Sequence, residues 1–277
     1  MKEQLETVYK ETDVEILIST MNKNSLDFLI PMFPFSHFSH FSILIVNQTN
    51  NDQLLVSDYP NVRVFNSFET GLSKSRNLAL KNATGKILLI ADDDVVYQED
   101  FLSKIITSHN DYKNAAAITF SAIQKDDSFL KKYPLVPKTK LNSFDIFNTS
   151  SIEITLKKDK IEHLEIEFDE NFGLRSAFEM GEEVIFLFDL KNKKEQLVFI
   201  PEVIVSHDSK TTSKKRSILE NYYIQGALFT RIFRHKYKIW IFIKAFFDLK
   251  QRKIKWIMLN KILKIAKQGH LNYKRIK

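Results

Sequence analysis

The chain has 277 residues, of which 44% are hydrophobic and 27% are charged, so it can bury a large core, and disorder, a collagen-like repeat and a small disulfide scaffold are excluded. Because it contains no cysteine, it forms neither a disulfide nor a thiolate metal site, and a cytoplasmic location is expected. The net charge of +7 is unevenly distributed along the chain. Residues 210–277 contain 19 Lys and Arg and two acidic residues, a net charge of +17, whereas residues 1–209 have a net charge of −10. This difference predicts two regions with different partners.

The N-terminal half alternates apolar runs with helical or turn segments. Residues 1–13 carry charges of both signs and no apolar run, so no cleaved leader is expected. The clearest helix is predicted from about Ser73 to Ala83, before Thr84-Gly85. This alternation predicts a mostly parallel, Rossmann-like α/β sheet flanked by helices, with ligands beyond the carboxyl ends of the strands. The predicted strands are Val14–Ser19, Ser42–Asn47, Val62–Phe65, Lys86–Ala91 and Ala115–Phe120.

The alternation changes between residues 121 and 209, which indicates an inserted region on the substrate side. Two short runs, Ile152–Leu156 and Ile161–Phe168, have the composition of strands. A helix is predicted over Gly181–Leu190, followed by a strand over Leu197–Val205 whose Pro201 indicates an edge or a bulge. Beyond this strand the sequence is helical and basic to its end, and only two glycines, Gly226 and Gly269, interrupt the pattern.

Three carboxylates, Asp92, Asp93 and Asp94, directly follow a predicted buried strand. Their mutual repulsion at the end of a strand is relieved by a divalent cation, and oxygen ligands favour Mg²⁺ or Mn²⁺ held together with substrate phosphates. A solvated acidic turn is the alternative explanation when the triplet is considered alone.

A second candidate lies upstream, where Gly71-Leu72-Ser73-Lys74-Ser75-Arg76-Asn77 opens a helix. Small residues, backbone N–H groups at a helix start and a guanidinium favour a diphosphate. The alternative is a helix cap with a surface arginine.

In order along the chain, these motifs resemble those of the family 2 glycosyltransferases, which have the GT-A fold. The resemblance covers about residues 13–210. The segments that carry it are Ile18-Ser19-Thr20-Met21-Asn22, Gly71 to Asn77, Ile90-Ala91-Asp92-Asp93-Asp94, Phe168 to Leu174, Gly181-Glu182-Glu183-Val184-Ile185-Phe186, Ile200-Pro201-Glu202 and Val205-Ser206-His207.

The resemblance implies an inverting glycosyltransferase that uses a nucleotide-diphosphate sugar and Mn²⁺ or Mg²⁺. It implies Glu183 as the catalytic base, with Glu182 contacting the acceptor, and metal ligands at Asp92, Asp94 and His207. An acidic helix start and a structural histidine are the alternatives for these residues. The nucleotide-sugar contacts that it implies are Ser19, Thr20, Asn22, Gln48, Gly71, Ser73, Arg76, Asn77, Asp92 and Asp93.

Two departures from the family pattern affect specificity. Asn47-Gln48-Thr49-Asn50 stands where many members carry an acidic pair and a glycine, although the Gln48 amide can still hydrogen-bond the edge of a base. A UDP-sugar is therefore only weakly favoured. Arg175 stands where relatives often have a small residue, which predicts an altered acceptor pocket.

The basic tail has lysines and apolar residues at helical spacing over residues 236–267. A cationic amphipathic helix with aromatic residues suits the surface of an anionic membrane. Packing of the apolar face on the catalytic domain, or on a second copy in a homodimer, is the alternative. Because the acidic main body repels a polyanion, no nucleic-acid partner is expected.

We therefore expect a GT-A catalytic domain over residues 1–209, with a nucleotide-binding part at about 13–120 and an acceptor part at about 121–209, followed by a basic helical extension over 210–277. The expected acceptor is a glycan or lipid-linked molecule of cell-surface polysaccharide synthesis, modified at the inner face of the membrane. Two other functions stay open: a sugar nucleotidyltransferase, and an inactive GT-A domain acting as a membrane-surface or assembly module.

Overall fold

The computed structural model describes residues 8–207 and 216–277. Within them, one eight-stranded sheet runs through the molecule in the order β3-β2-β1-β4-β7-β6-β8-β5. The mixed α/β fold is that of a GT-A domain, as predicted. The strands are β1 Val14–Met21, β2 Ile43–Gln48, β3 Val62–Ser67, β4 Ile87–Asp92, β5 Val95–Tyr97, β6 Ala115–Ile123, β7 Ile154–Lys157 and β8 Gln196–His207.

The first four strands in this order form the parallel part of the sheet. The side chains of β1, β2 and β4 are mostly apolar and buried on both faces, as expected of a sheet covered by helices on each side, whereas the edge strand β3 is only partly buried. The register places Ser19 of β1 opposite Asp92 of β4, and Met21 opposite Gln48 of β2. The predicted ligand residues of three strands therefore meet at one carboxyl edge.

The other half of the sheet brings the end of β8 to the same edge. β8 runs parallel to β6, and their register shifts between the pairs Thr119–Phe199 and Ser121–Val203. This irregularity accommodates Pro201, whose ring nitrogen has no hydrogen to donate, and the predicted bulge is confirmed. Because β5 pairs antiparallel with β8, the residue that follows Asp94 lies opposite His207.

Helices cover both faces of the sheet. The helix predicted at Ser73 is present, and so is the helix predicted at Gly181. The strand predicted over Ile161–Phe168 is wrong: α4 occupies Lys158–Leu164, because the buried Ile161 anchors a single helical stretch against the core. The helices are α1 Leu72–Asn82, α2 Phe101–Asp111, α3 Ser143–Phe147, α4 Lys158–Leu164, α5 Glu182–Asn192, α6 Ile218–Phe233, α7 Tyr237–Lys250 and α8 Leu259–Ile276.

The basic extension is helical, as predicted, but two expectations for it are corrected. Gly226 and Gly269 do not interrupt helices; they lie inside α6 and α8, where the two backbones cross so closely that a Cβ on Gly226 would lie 1.9 Å from the carbonyl oxygen of Ala266. The amphipathic segment 236–267 is not one helix, because a break at residues 251–258 separates α7 from α8. The apolar face of α8 packs on α6 through Ile262 and Ala266.

Two expectations fall on residues outside this description. The absence of a leader concerns Met1–Asp13, of which residues 1–7 are not described, and the domain boundary at residue 209 lies within the undescribed 208–215. In the described part of the chain, we find no helix with both the length and the apolarity to cross a bilayer.

Candidate active site

The three aspartates at the end of β4 have separate partners. Asp93 accepts a hydrogen bond from the Thr20 hydroxyl and forms an ion pair with Lys23 at 3.1 Å. Asp94 Oδ1 lies 3.3 Å from Nε2 of His207, as the pairing of β5 with β8 requires. The acidic triplet is therefore divided, with Asp93 bound to the β1 loop and Asp94 next to the end of β8.

Asp92 belongs to a buried ion-pair cluster centred on Arg76. The Arg76 side chain is only 2% exposed; it donates from Nη2 to Asp92 Oδ1 at 3.0 Å and from Nη1 to Glu182 Oε1 at 2.8 Å. Its guanidinium carbon also lies 5.5 Å from the centre of the Phe168 ring. Arg76 therefore links β4 to the start of α5. The contact of its guanidinium with a diphosphate stays a prediction.

The cluster has more negative than positive charge, which shifts its pKa values. Burial opposes the charge on Arg76, but Asp92, Glu182 and Glu183 outweigh it and raise the Arg76 pKa. Burial raises the pKa of Asp92, and Asp94 raises it further, against the attraction of Arg76. Burial and the neighbouring Glu182 carboxylate also raise the pKa of Glu183, to about 8. Carboxyls with raised pKa values are typical of acid–base sites.

The two glutamates at the start of α5 face different surroundings. Glu182 is buried against Arg76, and a Cβ on Gly173 would lie 3.3 Å from its Cδ, so only glycine, at φ +100°, allows this close approach. Glu183 is half-buried and lines an adjacent cavity. Of the two, Glu183 has the access that a proton acceptor needs. Glu182, for which the resemblance implies a contact with the acceptor, forms an ion pair with Arg76 in this structure.

Several predicted nucleotide-sugar contacts stabilise the loops of the site. Gln48 is buried and its Nε2 donates to the Gly71 carbonyl at 2.9 Å, so this amide holds the turn before α1. Its contact with a base stays a prediction. The Ser73 hydroxyl donates to the Phe172 carbonyl at 2.6 Å. These bonds fix the backbone around the site.

Asn77 has a similar structural contact. Its side-chain amide donates to the carbonyl of Phe168 at 3.0 Å and accepts from the N–H of the same residue at 2.8 Å. Together with Ser73 it holds the loop before α5 against α1. Gly71, which directly precedes α1, has φ +123°, a conformation that favours glycine.

The residues at the end of β1 remain at the predicted place. Ser19 accepts a hydrogen bond from the Ser75 hydroxyl at 2.9 Å, and Thr20 binds Asp93. Asn22 is exposed and adopts a left-handed conformation with φ 52°, and its N–H donates to the Gln48 carbonyl at 3.0 Å. These three residues border the edge where β1, β2 and β4 end.

The donor atoms beside β5 fit a divalent cation. A carboxylate oxygen of Asp94 and an imidazole nitrogen of His207 lie side by side, and Asp92 Oδ2 accepts a hydrogen bond from the Ser151 hydroxyl at 3.4 Å. Carboxylate oxygens suit Mg²⁺ and Mn²⁺, and imidazole nitrogen is a common ligand of divalent transition metals. Across residues 8–207 and 216–277, no three His, Asp or Glu side chains are arranged to hold a metal ion. Phosphate oxygens of a donor complete such a site in many Mg²⁺ enzymes.

A cavity of about 510 Å³ lies between α3, the start of α5 and the helices α6 and α7. Glu183 is at one end, and the walls are mostly apolar, with Phe147, Phe229 and Trp240 among them. Gln225 of α6 also lines it. The acceptor part predicted from the sequence spans residues 121–209. The sequence contained no indication of this helical wall, because helix packing cannot be read from one sequence.

The comparisons with known proteins agree with the fold. The family described as Glycosyl transferase family 2 matches residues 36–180, just over half of the chain. Staphylococcus aureus TarS 1–349 has a similar structure, with a TM-score of 0.57 and 14% identity over 95% of this chain and 73% of that one. The structure of TarS 1–349 in complex with UDP-GlcNAc has a TM-score of 0.56 and 14% identity, over 95% of this chain and 74% of that one. The structure in complex with UDP has a TM-score of 0.51 and 14% identity, over 95% of this chain and 73% of that one. No significant match was found among curated proteins.

Proposed function

The chain belongs to glycosyl transferase family 2, and we propose that it is an inverting enzyme that moves a sugar from a nucleotide diphosphate to an acceptor hydroxyl. The observation that carries this proposal is the half-buried Glu183, with its raised pKa, beside the Arg76 cluster at the carboxyl edge of the sheet. A carboxyl that can accept a proton, close to the edge where the parallel strands end, supports this reaction.

A uridine diphosphate sugar is the proposed donor. TarS has been captured with UDP-GlcNAc and with UDP, and its fold is shared by this chain. The donor would lie over the ends of β1, β2 and β4, near Thr20 and Asn22. The buried Gln48 would act by keeping the Gly71 turn in place.

The proposed reaction is a direct displacement. The acceptor oxygen forms a bond to the anomeric carbon as the bond from that carbon to the diphosphate oxygen breaks, and the hydroxyl proton passes to Glu183. Attack opposite the leaving group inverts the anomeric configuration. Arg76 is a positioning residue in this scheme: it neutralises Glu182 and Asp92, and so keeps Glu183 the carboxyl that accepts the proton.

A divalent cation, Mn²⁺ or Mg²⁺, is part of the proposal. Asp94 and His207 would hold it, with Asp92 alongside. When bound, such an ion stabilises negative charge on a departing diphosphate.

The helix α7 carries the proposed membrane contact. Ile239, Phe242 and Phe246 are 56%, 53% and 63% exposed on its outer face, and Lys238 and Lys250 are exposed beside them. Exposed aromatic side chains next to lysines suit the surface of an anionic membrane. We place the enzyme at the inner face of the cell membrane, acting on a glycan or lipid-linked acceptor of cell-surface polysaccharide synthesis.

The membrane contact is tested by sedimentation with vesicles of phosphatidylglycerol and phosphatidylcholine. The double variant Phe242→Ser and Phe246→Ser should bind these vesicles about tenfold more weakly. Leu135→Ser is the matched control, because Leu135 is 89% exposed on a distant loop. Equal binding of both variants would rule out α7 as the contact.

The enzymatic proposal is tested by thermal shift with nucleoside diphosphates and nucleotide sugars, with and without Mn²⁺. A ligand that binds only the folded state raises the melting temperature. We expect a shift with uridine nucleotides that needs Mn²⁺ and is lost in Asp94→Asn. Asp159→Asn is the matched control, since α4 follows the end of β7 that pairs with the start of β4, at the opposite edge of the sheet.

Each outcome of this panel has a consequence. A shift that survives in Asp94→Asn would contradict the assigned cation site. A shift with nucleoside triphosphates and sugar phosphates, but not with nucleotide sugars, would favour a nucleotidyltransferase. No shift with any nucleotide would favour an inactive module.

A further inference from the structure

The connection between α7 and α8 carries two exposed apolar side chains. Trp256 is 75% exposed and Ile257 is 88% exposed, and both lie in a short 3-10 helix, Trp256–Met258. Tryptophan is highly buried on average in folded proteins, so its exposure here needs an explanation. We call residues 252–257 the α7–α8 tip.

The backbone of the α7–α8 tip is anchored to the helices around it. Ile254 is only 4% exposed and belongs to a buried cluster with side chains of α6, α7 and α8. The N–H of Lys253 donates to the Asp248 carbonyl at 2.9 Å, and the N–H of Met258 donates to the Lys255 carbonyl at 2.9 Å. The exposed apolar pair therefore stands on an ordered support, which lowers the entropy that a partner must remove on binding.

Positive charge surrounds the apolar pair. Arg252, Lys253 and Lys255 are exposed, and none of them forms an ion pair with another residue in the described part of the chain. Residues 249–277 contain eight Lys and two Arg and no Asp or Glu. The charge of the tip therefore complements an anionic surface.

The combination of cations with large apolar side chains selects one kind of anionic partner. Lysine and arginine alone suit any polyanion, including a nucleic acid, but the phosphates that dominate such binding do not bury an isoleucine side chain. At an anionic bilayer, lipid phosphates meet the cations while apolar side chains enter the boundary of the hydrocarbon. Tryptophan is enriched at this level of the membrane. The tip has both features.

We propose that the α7–α8 tip inserts into an anionic membrane leaflet, with Trp256 and Ile257 below the headgroups and the exposed cations of the tip bound to lipid phosphates. This inference rests on the membrane contact proposed for α7, and it adds the part of the chain that penetrates the bilayer. The face of α7 that exposes Phe242 and Phe246 then lies along the surface from which the tip enters.

Insertion of the tip also orients the active site. Lys253 of the tip and Gln251, just before it, line the cavity that contains Glu183. With the tip among the headgroups, this end of the cavity lies at the membrane surface.

The test uses Trp256 as a probe of depth. The chain has two tryptophans, and Trp240→Phe leaves Trp256 as the only one while keeping an aromatic ring next to Phe233. The full-length variant is titrated with vesicles of phosphatidylglycerol and phosphatidylcholine, and separately with vesicles of phosphatidylcholine alone. With the anionic vesicles we expect a blue shift of the Trp256 emission, and quenching by lipids that are brominated near the top of the acyl chains.

Two changes in this background separate the apolar contribution from the charged one. Ile257→Ser should weaken binding to the anionic vesicles by about tenfold. The double variant Arg252→Gln and Lys255→Gln should weaken it by about thirtyfold, and added salt should weaken it further. Leu135→Ser, on a distant loop, is the matched control and should bind as its parent does. Because all four side chains are exposed, the melting temperatures should not change.

Three results would overturn the inference: no blue shift of Trp256 when the protein sediments with anionic vesicles, equal vesicle binding by Ile257→Ser and its parent, or binding to heparin without binding to vesicles. The variant Phe242→Ser and Phe246→Ser separates the tip from α7. If that variant loses vesicle binding while Ile257→Ser keeps it, α7 is the contact and the tip is wrong. If the parent binds no vesicles, the proposed membrane contact fails together with the tip, and the thermal shift with nucleotide sugars reports separately on the enzymatic proposal.

Discussion

The two walls of the candidate active site are built in different ways. The wall at the carboxyl edge of the sheet is polar and mostly buried, and its charged groups pair with one another, as the two terminal nitrogens of Arg76 do with Asp92 and Glu182. The wall formed by α6 and α7 is mostly apolar, with Phe229 and Trp240 among its residues. Glu183 lies where the two walls meet.

This difference indicates that the two walls have different functions. An ion-pair network buried at the ends of strands has little freedom to adapt, which suits the fixed geometry of a reaction common to a family. A wall of helices has an apolar surface that varies easily and suits the choice of an acceptor. The predictions below alter one wall at a time, and each asks whether the other wall keeps its function.

The largest effect is expected where the walls meet. Glu183→Gln removes the proton acceptor and should lower kcat about a thousandfold, because general base catalysis contributes about 10²–10⁴-fold. Binding of the nucleotide sugar, measured by thermal shift, should not change. Glu179→Gln, on the exposed residue four positions earlier, should have no effect on either. A loss of kcat of less than tenfold in Glu183→Gln would show that another group accepts the proton.

The next effect is on the polar wall alone. Arg76→Met leaves Asp92 and Glu182 buried without their cation, and should lower the free energy of unfolding by about 3 kcal/mol in urea titrations. Lys74→Met is the control on the same helix, because its ion pair with Glu69 is exposed, and no measurable change is expected. Equal stability of the two variants would refute the structural importance of this cluster.

The helical wall is tested at the crossing of α6 and α8. Gly226→Ala places a Cβ 1.9 Å from the backbone of Ala266, so the helices must separate, and a loss of about 2 kcal/mol is expected. In an open helix the same change stabilises by about 1 kcal/mol, so the sign of the result is diagnostic. Nucleotide binding at the polar wall should survive. A stabilised Gly226→Ala variant would contradict the close crossing.

The last prediction concerns the dependence on pH. Since burial and Glu182 raise the pKa of Glu183 to about 8, kcat/KM should increase about tenfold per pH unit and level off above that value. The folded state keeps a proton that the unfolded chain releases near pH 4.5, so the contribution of this group to stability falls as the pH rises from about 4.5 to 8. Melting curves of Glu183→Gln should lack this part of the decrease. A flat rate profile between pH 6 and 8 would exclude Glu183 as the titrating base.

The sequence alone predicted the parts of the fold that local patterns determine. The apolar run that ends at Asp92 is a buried strand, and Glu183 lies in the first turn of a helix, as predicted. Both features were predictable because an apolar run and an acidic helix start are local signals in the sequence. The strand predicted over Ile161–Phe168 was wrong, because a short apolar run has no periodicity that distinguishes a strand from a helix. The connection from β1 to β2 contains two short 3-10 helices, Leu26–Met32 and Phe38–His40, in a stretch interrupted by prolines.

Within the site, the sequence located the residues but not their contacts. Gln48, Ser73 and Asn77 lie at the predicted edge, yet they hydrogen-bond backbone groups that come from elsewhere in the fold. Arg76 is buried against Glu182, which lies 106 residues later in the chain. Such long-range contacts depend on tertiary packing, which spacing along the chain does not encode.

The most direct test of the proposed mechanism measures the anomeric configuration of the sugar that is released when water, in place of the acceptor, attacks the nucleotide sugar. The nucleotide sugar with the largest thermal shift is incubated with wild type and Mn²⁺, and the anomeric signals are recorded by NMR before mutarotation. From an α-linked donor, the account predicts that the β-anomer forms first and that its formation is lost in Glu183→Gln. Formation of the α-anomer first, or unchanged release in Glu183→Gln, would contradict direct displacement assisted by Glu183.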